Sequence, residues 1–156
     1  MGVSPFIAQL RDLIGHQLLL LPSVAVLPQR ADGRLLLVRL ADTGLWATIG
    51  GAVEPDESPE EAALREAEEE AGVRVGLCGI RAVLGGPRFR IRYPNGDETA
   101  YVSTVFDAFV KSGTPAPDHD ETIEVGWFRP SELAEGDISS FTRALLVGAR
   151  LLAGRP

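Results

Sequence analysis

Nine carboxylates and a single basic residue, Arg65, are packed into the stretch from Gly51 to Val73, GAVEPDESPEEAALREAEEEAGV. The whole chain has 22 acidic and 15 basic residues and a net charge of −7. The excess of acid is therefore local, and the remainder of the chain is close to neutral. Carboxylates crowded this closely repel one another, and a bound cation is the usual physical reason to tolerate the crowding. A cation held by carboxylates beside arginines suits a phosphate substrate that shares the metal.

The stretch also contains a helix signal. Ser58-Pro59-Glu60-Glu61 supplies a cap, a proline for the first turn and a glutamate three residues after the serine. The helix is expected to run to about Ala71, where Gly72 ends it. At ~100° per residue, Glu66, Glu69 and Glu70 fall on one face, at i, i+3 and i+4. Ala63, Leu64, Ala67 and Ala71 form the adjoining apolar stripe, and Glu61 and Glu68 point away. Arg65 lies one turn before Glu69 and can reach back to Glu57. Three carboxylates on one face offer hard oxygen donors, which favour Mg²⁺ or Mn²⁺ over soft metals. Charge alone leaves a second reading open, a surface helix that is rich in glutamate because glutamate forms helices well.

The order of residues goes further. Gly51, Glu57, Arg65, Glu66, Ala67, Glu69, Glu70, Gly72 and Val73 match G-x5-E-x7-R-E-U-x-E-E-x-G-U at every fixed position, U being apolar. This stretch resembles the Nudix box, the signature of the Nudix (MutT-like) hydrolases. Ala67 stands where the family usually has a larger aliphatic residue, and Ile49 where many relatives have proline. The resemblance implies an α/β/α sandwich, a mixed β-sheet between helices, over about Leu18 to Leu152. It implies a hydrolase that splits a diphosphate joined to another moiety, using Mg²⁺ or Mn²⁺. Carried over by position, Glu66, Glu69 and Glu70 are the implied metal ligands, and Gly51 gives a backbone ligand or a close approach. Arg65 orients the set through Glu57. Glu121 corresponds to a further glutamate that many relatives use as metal ligand or base, so Glu69 and Glu121 both stand as candidates to take a proton from water.

These groups need a scaffold. Ser4 to Ile14 reads as a short amphipathic helix ended by Gly15, a helical extension (residues 1–16) to a single domain spanning 1–156. Its role is open between packing on the body and forming a homodimer. Gln17 to Leu27 reads as a buried strand, with Pro22 implying an edge or a bulge. Ala31 to Gly33 makes a turn, and Arg34 to Leu40 returns as the second arm of a hairpin. Leu45 to Ile49 is a short strand that Gly50-Gly51 interrupts. Arg74 to Leu84 is a strand region. Arg88 to Tyr93 alternates, with Arg88, Arg90 and Arg92 on one face, and the Pro94-Asn95-Gly96-Asp97 turn joins it to a long strand over Thr99 to Val110. A loop follows, then a strand at Ile123 to Phe128, a short helix from Pro130 with Ser131 as its cap, and a final amphipathic helix over Ser139 to Leu152.

Outside the box, three residues are candidates for touching substrate: Arg39, Trp46 and Arg90. Arg39 is either a solvated strand residue or a phosphate contact, Trp46 either core or substrate wall, and Arg90 either a solvated face or a phosphate or ribose contact. His16 and His119 read as structural or solvated.

The chain has 156 residues, 45% hydrophobic and 24% charged, enough for a proper core and too apolar for disorder. Its acidic balance argues against binding a nucleic acid polymer. The longest apolar run, around Pro22 and Ser23, is too short to span a bilayer, and no signal peptide is visible. One cysteine, Cys78, excludes an internal disulfide, reads as a buried thiol and fits a reducing cytoplasm.

The expected partner is a small-molecule nucleotide. ADP-ribose or a nucleotide sugar stands first, because Pro87 follows the box at about the distance seen in some ADP-ribose-cleaving relatives. A nucleoside triphosphate, oxidised or not, and a dinucleoside polyphosphate are the alternatives. A nucleotide-sensing domain without turnover is the reading from a different class.

Overall fold

A computed structural model describes residues 4–154. The elements are α1 (Pro5–Ile14), β1 (Leu19–Pro28), β2 (Leu35–Leu40), β3 (Trp46–Ala52), α2 (Pro59–Ala71), β4 (Arg74–Leu84), a 3-10 turn (Pro87–Phe89), β5 (Arg90–Arg92), β6 (Glu98–Ser112), β7 (Thr122–Phe128), α3 (Pro130–Leu133) and α4 (Ser140–Gly148). The strands form one seven-stranded sheet in the order β4-β6-β1-β3-β2-β7, with β5 paired to β6. β1 runs parallel to β6 and every other pairing is antiparallel.

Alternation along the strands divides the core between the two faces of this sheet. On one face Val24, Val26, Leu36, Val38, Ile49 and Phe106 pack against Ala62, Ala63, Ala67 and Ala71 of α2. On the other, Ala25, Leu27, Leu35, Leu37 and Val105 pack against Leu133, Leu145 and Leu146 of α3 and α4. Each large aliphatic side chain buried here stabilises the fold by about 1.5–3 kcal/mol. The result is the expected α/β/α sandwich with a mixed sheet.

Several local expectations change. β1 and β2 are not paired as a hairpin: β3 lies between them, and an isolated bridge from Gln29, just past β1, to Leu35 joins their near ends. The turn at Ala31 to Gly33 reverses the chain but leaves room for a third strand, whose two glycines allow it to sit close. Gly50-Gly51 does not interrupt β3, which continues to Ala52 and pairs with β1 through Gly50↔Ala25 and Gly51↔Val24. Pro22 marks neither an edge nor a bulge. It lies in an interior strand opposite Val102 of β6, and its carbonyl accepts from Val53 N–H at 3.1 Å. A strand residue's nitrogen and carbonyl face the same side, so the missing N–H costs nothing toward β6 and falls where the pairing with β3 ends. Only Arg90–Arg92 of the arginine-rich segment is strand, because Arg88 and Phe89 turn in the 3-10 segment and Phe89 enters the core. Arg129 and not Ser131 stands at the cap position of α3, where its N–H donates to Glu132 Oε2 at 2.7 Å. Cys78 is exposed, since it lies on an edge strand with no layer over it.

Candidate active site

α2 begins as its sequence dictates. Ser58 Oγ accepts from Glu61 N–H at 3.2 Å, and Glu61 Oε2 accepts from Ser58 N–H at 2.7 Å, a complete capping box. Gly72 ends the helix at φ 64°, the left-handed conformation that favours glycine. The buried face differs from the expected stripe. Leu64 is exposed, and the positions turned to the sheet are Ala62, Ala63, Glu66, Ala67, Glu70 and Ala71. Four alanines bring the helix close to the sheet, and that closeness buries two of the three carboxylates.

Glu66 and Glu70 are each only 6% exposed, whereas Glu69 lies at the rim. Gly51 meets Glu66: a Cβ built on Gly51 would lie 2.2 Å from Glu66 Oε1. The neighbouring Gly50 donates its N–H to Glu70 Oε2 at 3.0 Å. The diglycine therefore serves the two buried carboxylates in different ways, one by leaving space and one by donating.

Arg65 joins the rest. Its Nε and Nη2 donate to Glu57 Oε2 and Oε1 at 3.0 and 2.6 Å. Nη1 donates to Glu66 Oε1 at 2.8 Å and to Glu69 Oε2 at 3.1 Å, and Nη2 also reaches the carbonyl of Ala52 at 3.2 Å. Glu57 Oε1 accepts from Glu54 N–H at 2.9 Å as well. One guanidinium thus fixes the loop before the helix, the end of β3 and two carboxylates of α2. Arg65 therefore does reach back to Glu57.

The environment splits these acids. The Arg65 guanidinium holds the Glu57 carboxyl below its usual range despite partial burial. Burial pushes Glu66 up, with Arg65 offsetting part of the rise. Burial pushes Glu70 well up, and the charges of Glu66, Glu121 and Asp118 add to it against the Gly50 N–H. The carboxylates are not drawn to a common point, and among the described residues no three His, Cys, Asp or Glu side chains close into a metal cage.

Glu121 is close enough to bear on both Glu66 and Glu70. Its loop is held by Asp118, whose Oδ1 accepts from the N–H groups of Asp120, Glu121 and Thr122 at 2.8–3.0 Å. Burial works against Asp118's charge, but these bonds hold its carboxyl below the usual range. Thr122 is fully buried, and its Oγ also bonds the Glu70 carbonyl at 2.9 Å, so the loop is bound to α2 itself. Asp118, Thr122, the Gly50 N–H and the Ala52 carbonyl escape a sequence reading. Only Asp118 leaves a trace there, as an aspartate before a tight turn.

Arg39, Trp46 and Arg90 make no hydrogen bond or ion pair with the box carboxylates among the described residues. Arg39 donates to the Gly44 carbonyl at 2.8 Å and to Glu124 at 3.1 Å. Trp46, its register partner, packs edge-on against Phe128 with ring centroids 4.6 Å apart, on the face of α3 and α4. Arg90 pairs with Glu98 at 2.6 Å. His16 pairs with Asp97 at 2.7 Å.

A sandwich that presses a glutamate-rich helix onto a diglycine strand, with one arginine bracing the carboxylates, is the architecture that the box implies. The description "NUDIX domain" fits residues 19–146 as a family match. A MutT-like protein of Streptomyces ambofaciens is 36% identical over 113 residues, covering 72% of this chain and 66% of that protein. The nucleoside triphosphatase NudI of Salmonella typhimurium is 36% identical over 129 residues, covering 78% of this chain and 91% of that protein. The crystal structure of a MutT NUDIX hydrolase from Burkholderia pseudomallei superposes with a TM-score of 0.68 at 27% identity, over 86% of this chain and 99% of that one. The chain belongs to the Nudix family and is a Nudix hydrolase. No helix among the described residues is long and apolar enough to cross a membrane.

Proposed function

We propose that this Nudix hydrolase is a Mg²⁺- or Mn²⁺-dependent pyrophosphohydrolase of nucleoside triphosphates, releasing a nucleoside monophosphate and pyrophosphate. The observation that carries the proposal is the pair of buried carboxylates, Glu66 and Glu70, set against Gly51 and Gly50 and braced by Arg65. Two acids buried side by side with their ionisation disfavoured fit a divalent cation, and their hard oxygens fit Mg²⁺ or Mn²⁺. Glu66, Glu69, Glu70 and the Gly51 carbonyl would hold it. A divalent cation held there would supply charge neutralisation at the anhydride oxygens and a lowered pKa for the attacking water.

The chain's own residues do the rest. Glu57 holds Arg65, and Arg65 fixes the directions of Glu66 and Glu69. Water attacks the α- or the β-phosphorus, the anhydride P–O bond between them breaks, and pyrophosphate or the monophosphate leaves accordingly. The water's proton passes to a carboxylate oxygen of Glu69 or Glu121, the candidates at the rim and on the facing loop.

A triphosphate stands ahead of ADP-ribose for two reasons. The relative named a nucleoside triphosphatase is 36% identical and is covered over 91% of its length. Pro87, the residue that favoured ADP-ribose, has a structural account: it opens the 3-10 turn that delivers Phe89 to the core, edge-on to Phe141. The test is a panel of ribo- and deoxynucleoside triphosphates, ADP-ribose and nucleotide sugars with Mg²⁺ or Mn²⁺, with products resolved by chromatography. Monophosphate and pyrophosphate from a triphosphate support the proposal. Preferential cleavage of ADP-ribose would move the substrate assignment, and binding without any cleavage would leave a nucleotide sensor.

A further inference from the structure

Helix α1 lies outside residues 19–146, where the family match falls, and none of its residues is buried. One face of α1, Ile7, Leu10, Arg11 and Ile14, is half-buried, and polar bonds fix the helix at its two ends. At one end its cap, Ser4, donates from Oγ to Glu54 Oε2 at 2.8 Å, fifty residues away in the sequence. At the other end Arg11 donates to the carbonyls of Gly15, Gln17 and Glu98 and to Thr99 Oγ, at 2.6–3.1 Å, and lies 3.6 Å from Asp97. α1 thus spans from the loop before α2 to the start of β6.

The first of these attachments reaches the candidate active site. Glu54 N–H donates to Glu57 Oε1, Glu57 accepts both prongs of Arg65, and Arg65 holds Glu66 and Glu69. The Glu54 carboxylate stands in an acidic loop with Asp56 and Glu57, and the serine hydroxyl offers it a charge-assisted bond that fixes its direction. We propose that α1 is a strap, and that Ser4 is a positioning residue which sets the Glu54–Glu57 loop and, through Glu57, the bearing of Arg65 on the catalytic carboxylates. The kinetic part rests on the function proposed above, whereas the structural part does not. A helix with no fully buried residue can open without unfolding the sheet, so the strap sets the order of the loop independently of global stability.

The test compares wild type, Ser4→Ala and Ser4→Thr by amide hydrogen exchange without added metal, by thermal unfolding and by steady-state kinetics. Ser4→Ala is expected to speed exchange at residues 54–57 while α2 beyond its first turn and the melting temperature stay unchanged. It is expected to lower kcat about 3–10-fold with KM little changed, since a small misplacement of catalytic groups acts on the transition state. Ser4→Thr, which keeps the hydroxyl, restores both. Unchanged exchange at 54–57 in Ser4→Ala overturns the strap, as does faster exchange spread evenly over the whole domain. If the wild type cleaves nothing in the panel, the function fails, and the exchange measurement still decides the strap.

Discussion

Arg65 grips Glu57 through two parallel N–H···O bonds, 3.0 and 2.6 Å long, across the start of α2. The guanidinium touches the loop, the strand and the helix of the box together, because its remaining donors go to Ala52, Glu66 and Glu69. A planar fork with five donors can do this, and an ammonium group cannot.

Arg65→Lys keeps the charge and loses the fork. Nucleotide hydrolysis by this variant is expected to fall about 10²-fold, the order of loss that follows from misplacing catalytic groups by about 1 Å. Glu57→Gln, which keeps the shape and loses the charge, should lose less. Comparison of kcat and KM for both variants checks this, and equal activity of Arg65→Lys and wild type would refute it.

The two glycines of the box separate stability from activity. A Cβ on Gly50 would lie 2.1 Å from the Val24 carbonyl oxygen, a backbone atom in the middle of the sheet. A Cβ on Gly51 would instead meet a side chain, Glu66. Gly50→Ala is expected to destabilise the fold by about 1–3 kcal/mol, the usual cost of overpacking. Gly51→Ala should melt close to wild type and lose activity, because Glu66 must swing away. Thermal unfolding and hydrolysis rates of the two variants read the contrast directly.

The box was legible because its helix signals are local: a serine cap, a proline, a glutamate three residues later and a terminal glycine all act within one turn of the chain. The sandwich was legible from the resemblance that the box carries. Non-local choices were not. Nothing near Ala31 to Gly33 says that β3 will insert between β1 and β2, since the decision rests on pairing with residues far along the chain. Leu64 was placed inside and Cys78 was placed in the core for the same reason, as apolarity predicts a preference for burial and not which layer covers a position. The bond from Thr122 to the Glu70 carbonyl has no sequence pattern at all.

Thr122→Val tests that bond. The substitution keeps the shape and removes both the donor to Glu70 and one acceptor that supports Asp118 N–H bonding around the turn. The expected loss of stability is about 1 kcal/mol, the usual net worth of a buried hydrogen bond. The hydrolysis rate should fall by a larger factor than this stability change explains, because Glu121 is the neighbouring residue. Unchanged kinetics in a destabilised variant would confine Thr122 to the fold.

The buried carboxylates also set a pH dependence for the metal-free protein. Glu66 and Glu70 have folded-state pKa values raised above 4.5, the ordinary value, so in the window above 4.5 the folded chain binds more protons than the unfolded one. Stability then falls as pH rises through that window. Glu57 acts in the opposite sense: its folded pKa lies below 4.5, so its contribution is present above 4.5 and is lost as pH falls through the folded value. The metal-free protein is therefore expected to lose stability both on acidification below 4.5 and on raising pH above it. Mg²⁺ or Mn²⁺ binds the ionised carboxylates and stabilises the folded state by mass action, most at high pH. Chemical denaturation from pH 4 to pH 8, with chelator and with excess Mg²⁺, checks the sign. A Glu66→Gln, Glu70→Gln double variant should flatten the chelator curve above 4.5 and abolish the metal increment, and a metal increment that survives in this variant would place the cation elsewhere.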